Sequence, residues 1–502
     1  MRTPAFAIVV AGLVAGCATF DSPHREHLSA ADATVRDCAA WFASLDRAID
    51  ANGVRDAGAH RIDGFPYLRV DRFAASFRHE EMDDARQRAW VAQLGTLDST
   101  ARRYEVRNMP EAALSELGVA QRDAALTRTH TCSETLMQHD LAAPATHGRL
   151  AARAAVPDDY ATWKRVAGFY ALTRIPFFAG VSDWQEGAAA LFGKAAGDAP
   201  DGRSRFGPSE PSPGAARVRD TVSRIGRDAL GIPRPDPTQL RLLFAAFAPV
   251  FAVEVGGSFD RPGALHWSVS DPSVPAVDVT RPLVYHRLAH TRWGGRVRLQ
   301  LVYSLWFSER PRTGALDLLG GRLDGVIWRV TLDDDGTPLI YDTIHACGCY
   351  QLFFAVNGVV AKPPPAEPIE WAFVPATLPA HDADSRMLIR IASATHYVTH
   401  VSLIDTAVTG KGTPYSLAPE DELRGLPLPG GGSRSLYGPD GIVLGSERRE
   451  RFLFWPMGVA SAGAMRQWGR HATAFVGRRH YDDADLLERR FSLPPARPAA
   501  SD

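Results

Sequence analysis

The sequence predicts an α+β protein: a mainly helical N-terminal region, a mainly antiparallel β-sheet region after it, and a C-terminal helix. Three observations carry that expectation. Between residues 31 and 194, apolar residues recur at three- and four-residue spacing. After Thr238 the pattern changes to period two. Residues 195–215 separate the two regimes and are rich in Gly, Pro, Ser and Asp, which reads as a linker or long loop.

The first helix is expected from about Ser29. Ser29 and Asp32 offer N-caps, Val35, Cys38, Ala39, Trp41 and Phe42 form its apolar face, and Asn52-Gly53 ends it. Further helices are expected at Ala85–Leu97, Glu111–Leu117 and Gln121–Gln138. Residues 158–194 read as helix mixed with an apolar loop, Ile175-Pro176-Phe177-Phe178. Leu242 to Val253 is apolar but too short to cross a bilayer and carries Pro249, so it reads as a buried strand or helix.

In the second region Val297, Leu299, Leu301, Tyr303, Leu305 and Phe307 alternate with Arg298, Gln300, Ser304 and Ser308, a half-buried strand. Gly294-Gly295 before it predicts a two-residue hairpin turn. Val326–Leu332 and Leu339–Phe353 are two more strands around Asp333-Asp334-Asp335-Gly336, and Met387–Ile404 is another. A helix over Ala460–Val476 and a short one near Ala484–Arg490 close the fold. The tail 493–502 reads as disordered. The expected organisation is 1–16 signal, 17–30 tether, 31–194 helical domain, 195–215 linker, and 216–492 β-rich domain with terminal helices.

The N-terminus carries the most specific motif. Arg2 precedes an apolar stretch from Ala5 to Val14, and Val14-Ala15-Gly16-Cys17 follows at once. This resembles the signal and lipobox of bacterial lipoproteins as a class. The resemblance covers only the N-terminus. It implies that Cys17 is lipidated and becomes the mature N-terminus, and that the lipid bilayer is a partner through that group. Ala18 follows, with no Asp there, which in Gram-negative lipoproteins implies the outer membrane, with the body in the periplasm. The multiple chains of such an anchor hold firmly, unlike a single myristoyl group.

The net charge of −1 argues against a nucleic-acid or polyanion partner. Apart from Cys17, four cysteines remain: Cys38, Cys132, Cys347 and Cys349. An exported chain with an even count favours pairing. Cys38 and Cys132 lie in helical, polar-flanked segments of one region and are the expected disulfide; two separate buried thiols are the alternative.

The strongest chemical candidate is His345-Ala346-Cys347-Gly348-Cys349. These are soft metal ligands at strand periodicity. On a strand all three share one face. With Asp335-Gly336 as the turn, that face also carries Trp328, Val330 and Leu332. Alternate residues are about 6.6 Å apart, so three cannot share a metal without a bend, which Gly348 supplies. With Gly294-Gly295 as a turn, His286 and His290 fall opposite Tyr303 and Leu299 as weaker candidates. His396 and His400 share a face of a later strand. A transition-metal pocket, hydrogen-bonded core residues and a Cys347–Cys349 disulfide are the readings left open.

Other signals are weaker. Asp333-Asp334-Asp335-Gly336 lacks the spacing of a calcium loop. Gly458-Val459-Ala460-Ser461-Ala462-Gly463 misses the nucleophile-elbow spacing. Two functions follow as expectations: a cell-envelope lipoprotein with a structural or binding role and an envelope protein partner, or a metal-dependent enzyme built on the His/Cys group.

Overall fold

The computed structural model describes residues 25–142, 144–193, 203–405 and 412–494. Cys17 and the end of the tail lie outside them.

Helix α1 (Ala33–Ala51) begins where Asp32 accepts a hydrogen bond from the Thr34 amide, and it buries Val35, Trp41, Phe42 and Leu45. Helix α2 (Asp84–Asn108) is capped by Asp83 and runs eleven residues past the expected Leu97. Its buried face explains the difference. Trp90, Val91 and Leu94 give way to Asp98, Arg102 and Glu105, so the seam continues as ion pairs and apolar periodicity stops. Arg69 bonds Asp98 at 3.0 Å and Glu105 at 2.7 Å, and Arg102 bonds Asp46 at 2.5 Å, all out of solvent. Helix α3 (Arg122–Leu141) packs on α1, and the Cys38–Cys132 disulfide joins them with a Cα separation of 5.0 Å.

Beyond these come α4 (Thr162–Ala167) and α5 (Tyr170–Phe192). Ile175 to Phe178 is not a loop. Helix α5 passes through Pro176 and gives up one backbone hydrogen bond there. Helix α6 (Pro237–Phe247) opens on a capping box made by Asp236 and Gln239.

Ten strands form one sheet. In chain order they are β1 (Ser204–Pro208), β2 (Val250–Val253), β3 (Leu283–Trp293), β4 (Arg296–Arg310), β5 (Gly321–Leu332), β6 (Pro338–His345), β7 (Leu352–Ala355), β8 (Ser385–Ile391), β9 (Val398–Asp405) and β10 (Thr413–Pro419). Their spatial order is β7-β6-β5-β4-β3-β10-β1-β2-β8-β9. The pairs β10/β1, β10/β3 and β8/β2 are parallel and the rest antiparallel. The α+β class therefore holds. Strand β1 comes from the stretch expected as linker. Its Phe206 is buried against Phe251, and pairing with β10 on one side and β2 on the other outweighs its Gly and Pro.

Both expected hairpin registers are present. Trp293 pairs Arg296 across Gly294-Gly295, and Val326, Trp328 and Val330 pair His345, Thr343 and Tyr341; the second turn is not the expected two residues, because the Asp333 amide bonds the Thr337 carbonyl and a bulge between Pro338 and Ile340 restores the register. Strand β4 is buried on both faces rather than half-buried. Its polar side bonds internally, as when Gln300 donates to Thr331 Oγ1 at 3.0 Å. Residues 460–476 are turns and isolated bridges, not a helix. Gly463 and Gly469 sit at φ +80° and +90°, which a right-handed helix excludes. The C-terminal helix is the short α8 (Leu486–Arg490), and α7 (Arg451–Phe454) precedes the irregular stretch.

Candidate functional site

Strand β6 ends at His345. The chain then turns, with the Gly348 amide bonding the His345 carbonyl and the His345 amide bonding the Cys349 carbonyl. Gly348 has φ +95°, and a Cβ there would lie 2.6 Å from the Ala472 carbonyl oxygen, so only glycine fits. This turn corrects the expectation of one strand face carrying His345, Cys347 and Cys349. His345 points to the face of Trp328, while Cys347 belongs to the apolar cluster on the other face. Cys347 and Cys349 are free thiols, and the neighbouring Cys347 thiol, and then burial, pushes the Cys349 thiol well above its usual range.

His345 does meet a second histidine, through a carboxylate. Asp324 of β5 lies 3.4 Å from His345 Nδ1 and 2.9 Å from His396 Nδ1. His396 Nε2 lies 3.3 Å from Asp260, whose carboxylate also accepts from Ser393 Oγ and the Ala394 amide at 2.7 Å each. The result is a buried chain, Asp260–His396–Asp324–His345. Its charges follow from the contacts. Burial opposes ionisation of Asp324, but the two imidazoles outweigh it and hold the carboxyl well below the usual range. Burial likewise opposes ionisation of Asp260, and His396 with the backbone donors brings it to about 2. His396 is raised despite burial because a carboxylate faces each ring nitrogen. Burial lowers His345 below the ordinary imidazole value despite the Asp324 carboxylate beside it. Its Nε2 has no hydrogen-bond partner among the described residues.

His396 does not continue a strand from Met387. It sits in the β8–β9 connection at φ +53°, stacked on Phe307 with ring centroids 3.9 Å apart. His400 is on β9 against Phe192, so the two do not share a face. His286 and His290 pair Tyr303 and Leu299 as expected but lie apart from this chain. His286 packs on Phe244, and His290 stacks on Phe73; burial holds both near a pKa of about 4.

No metal set forms from the expected candidates. Among the described residues, the one trio whose ligand atoms all lie within 4.8 Å is His27, His139 and Asp140. Asp140 there also accepts from the Tyr67 hydroxyl at 2.7 Å.

What the sequence reading did not find is a cavity of about 630 Å³ beside the Cys347–Cys349 turn. Its wall is largely aromatic and aliphatic. Helix α5 roofs it with Phe177, Val181 and Trp184, and Tyr350 and Tyr397 separate it from His345. Trp184 lies 5.2 Å from the Tyr350 ring and 6.4 Å from the Tyr397 ring. Two polar groups stand out in this wall. Gln351 is buried with neither amide atom hydrogen-bonded. Glu450 is buried, and that burial raises its carboxyl to about 7. Asp324 had a legible signal, since it shares strand parity with Val326, Trp328 and Val330 and is the acid on an inward face. Glu450 and Trp184 had none, because the cavity is assembled from segments far apart in sequence.

No family model, no curated protein and no solved structure matches this chain. Fold and site together define its class by architecture alone: an α+β protein with one large mixed sheet, a buried carboxylate–imidazole chain, and an apolar cavity beside it.

Proposed function

We propose that this chain is an exported, lipid-anchored envelope protein whose body binds an apolar small molecule. The anchor and the outer-membrane location rest on the Val14-Ala15-Gly16-Cys17 motif. The observation that carries the binding reading is the cavity under α5. A volume of about 630 Å³ with a mainly apolar wall and a few polar groups is the composition of a small-molecule site. Gln351 offers an unsatisfied donor and acceptor to a polar end of the ligand, and Glu450, neutral below about pH 7, offers a second donor. The Asp260–His396–Asp324–His345 chain holds the loops that carry Tyr350 and Tyr397.

The alternative of a metal-dependent enzyme finds less support, since His345, Cys347 and Cys349 leave the strand on different faces. Native mass spectrometry of the purified protein tests the binding reading. The expected result is one apolar molecule retained per chain, displaced by a fluorescent fatty acid. A chain that carries nothing and takes up no such probe contradicts it.

A further inference from the structure

Helix α5 is apolar on two sides. Phe177, Val181 and Trp184 face the cavity. The other side joins α4 in a stripe at every third residue: Trp163, Val166, Phe169, Leu172 and Ile175, each 64% to 73% exposed. Phe452 and Leu453 of α7 are more than half exposed as well, and the short turn Trp455–Met457 touches α4, α5 and α7, so the segments form one face. An apolar area of this kind marks an interaction surface.

We propose that this face docks on a lipid surface with anionic headgroups, and that the cavity takes its occupant from there. The proposal rests on the anchored, apolar-binding reading above. Charge complementarity favours lipid over another occupant. Residues 162–176 carry no acid; Arg165 is buried on the Met457 and Gly477 carbonyls and Arg174 pairs Glu367 at 3.0 Å, which leaves Lys164 and, on α7, Arg451 as the cations beside the stripe. Lys164 lies over the Trp163 ring and Arg451 over the Phe452 ring, at 5.7 Å and 4.9 Å from the centroids. Aromatic rings beside basic side chains are the composition of interfacial segments. The acids of α5, Asp183 and Glu186, come only beyond Gly180, where the apolar stripe has ended. Continuity adds to this. Leu453 lies on the exposed face and also lines the cavity, so outer surface and cavity wall are one apolar tract. Reach is the third argument. From Cys17 to Arg25 an extended chain spans at most about 30 Å, so a lipidated Cys17 holds the body close to its bilayer.

The test uses the chain from residue 18 onward, without lipid, so that the anchor does not bind the vesicles. Every buried residue described lies between His27 and Phe491, so its core is kept. Flotation is measured with vesicles of phosphatidylethanolamine containing a minor fraction of phosphatidylglycerol, and with neutral phosphatidylcholine vesicles. The expected result is binding to the anionic vesicles, weakened by salt. It falls at least about tenfold when Phe169→Asp, Leu172→Asp and Ile175→Asp are combined, with an unchanged melting temperature because all three side chains are already in water. Absence of vesicle binding, or equal binding by the triple variant, overturns the proposal. A dimer in solution that the triple variant dissociates also overturns it and assigns the face to a second copy. Uptake of cis-parinaric acid from solution separates the two readings: uptake without vesicle binding leaves the cavity and removes the docking, and vesicle binding without uptake does the reverse.

Discussion

Helices α1 and α5 invert the ordinary relation between apolar sequence and burial. Helix α1 has five charged residues in 19 and buries eight side chains. Helix α5 has three charged residues in 23 and fully buries one, Phe192. A helix apolar on more than one side belongs in a core or against another apolar phase. The apolar side chains of α1 go into the fold, while most of those of α5 stay at its surface.

That contrast is open to direct attack. The largest effect is expected at the staple holding α1. Cys38 and Cys132 are 94 residues apart, and replacing both with Ser should cost about 4–5 kcal/mol on the chain-entropy account, read by urea denaturation. Next, Phe42→Ala in α1 should cost about 3–5 kcal/mol, because Phe42 is fully buried. Leu172→Ala in α5 should stay within about 0.5 kcal/mol of the parent, because Leu172 is exposed. Equal losses from the two would abolish the distinction.

Smaller effects are expected on ligand affinity. Trp184→Phe should weaken binding of a fluorescent fatty acid with little change in melting temperature, since the ring faces the cavity while a phenyl keeps packing on Tyr350, Phe373 and Tyr397. A pH titration examines Glu450. Its folded carboxyl titrates at about 7 against an ordinary 4.5, so it is neutral below about pH 7 and charged above. An anionic probe should therefore bind more weakly as pH rises through about 7, and Glu450→Gln should flatten that profile. The same raised value makes ionised Glu450 a burden on the fold, so stability contributed by its neutral form is lost between about pH 4.5 and 7.

How far the sequence reaches differs between the two regions for a physical reason. Cys38 and Val35 lie on an apolar face of regular period, and Gly294-Gly295 and Asp335-Gly336 set hairpin register locally, so α1, its disulfide, and the alignment of His345 with Val326 could be read directly. Helix α2 was cut short because its seam past Leu97 is made of Asp98, Arg102 and Glu105. The Cys347–Cys349 strand was misread because the backbone at Gly348 answers to Ala472, a contact remote in sequence. The inward face of His345 follows from the hairpin register, but its link to His396 through Asp324 does not, because His396 sits in a connection at φ +53° and not on a strand. The apolar run at Pro176 reads as a loop because proline argues against helix, yet helix α5 continues through it and roofs the cavity.

Gly180 gives the cleanest access to the proposed binding site under α5. Gly180 lines the cavity, and a Cβ there meets no atom within 4 Å. Gly180→Trp should place an indole in the cavity without straining the helix, and replacing a mid-helix glycine should not lower stability. Equilibrium titration with cis-parinaric acid is predicted to show saturable binding at one probe per parent chain and binding weakened at least about tenfold in Gly180→Trp, whose melting temperature is maintained. A parent protein that fails to saturate, or a folded Gly180→Trp that binds as the parent does, would contradict the account.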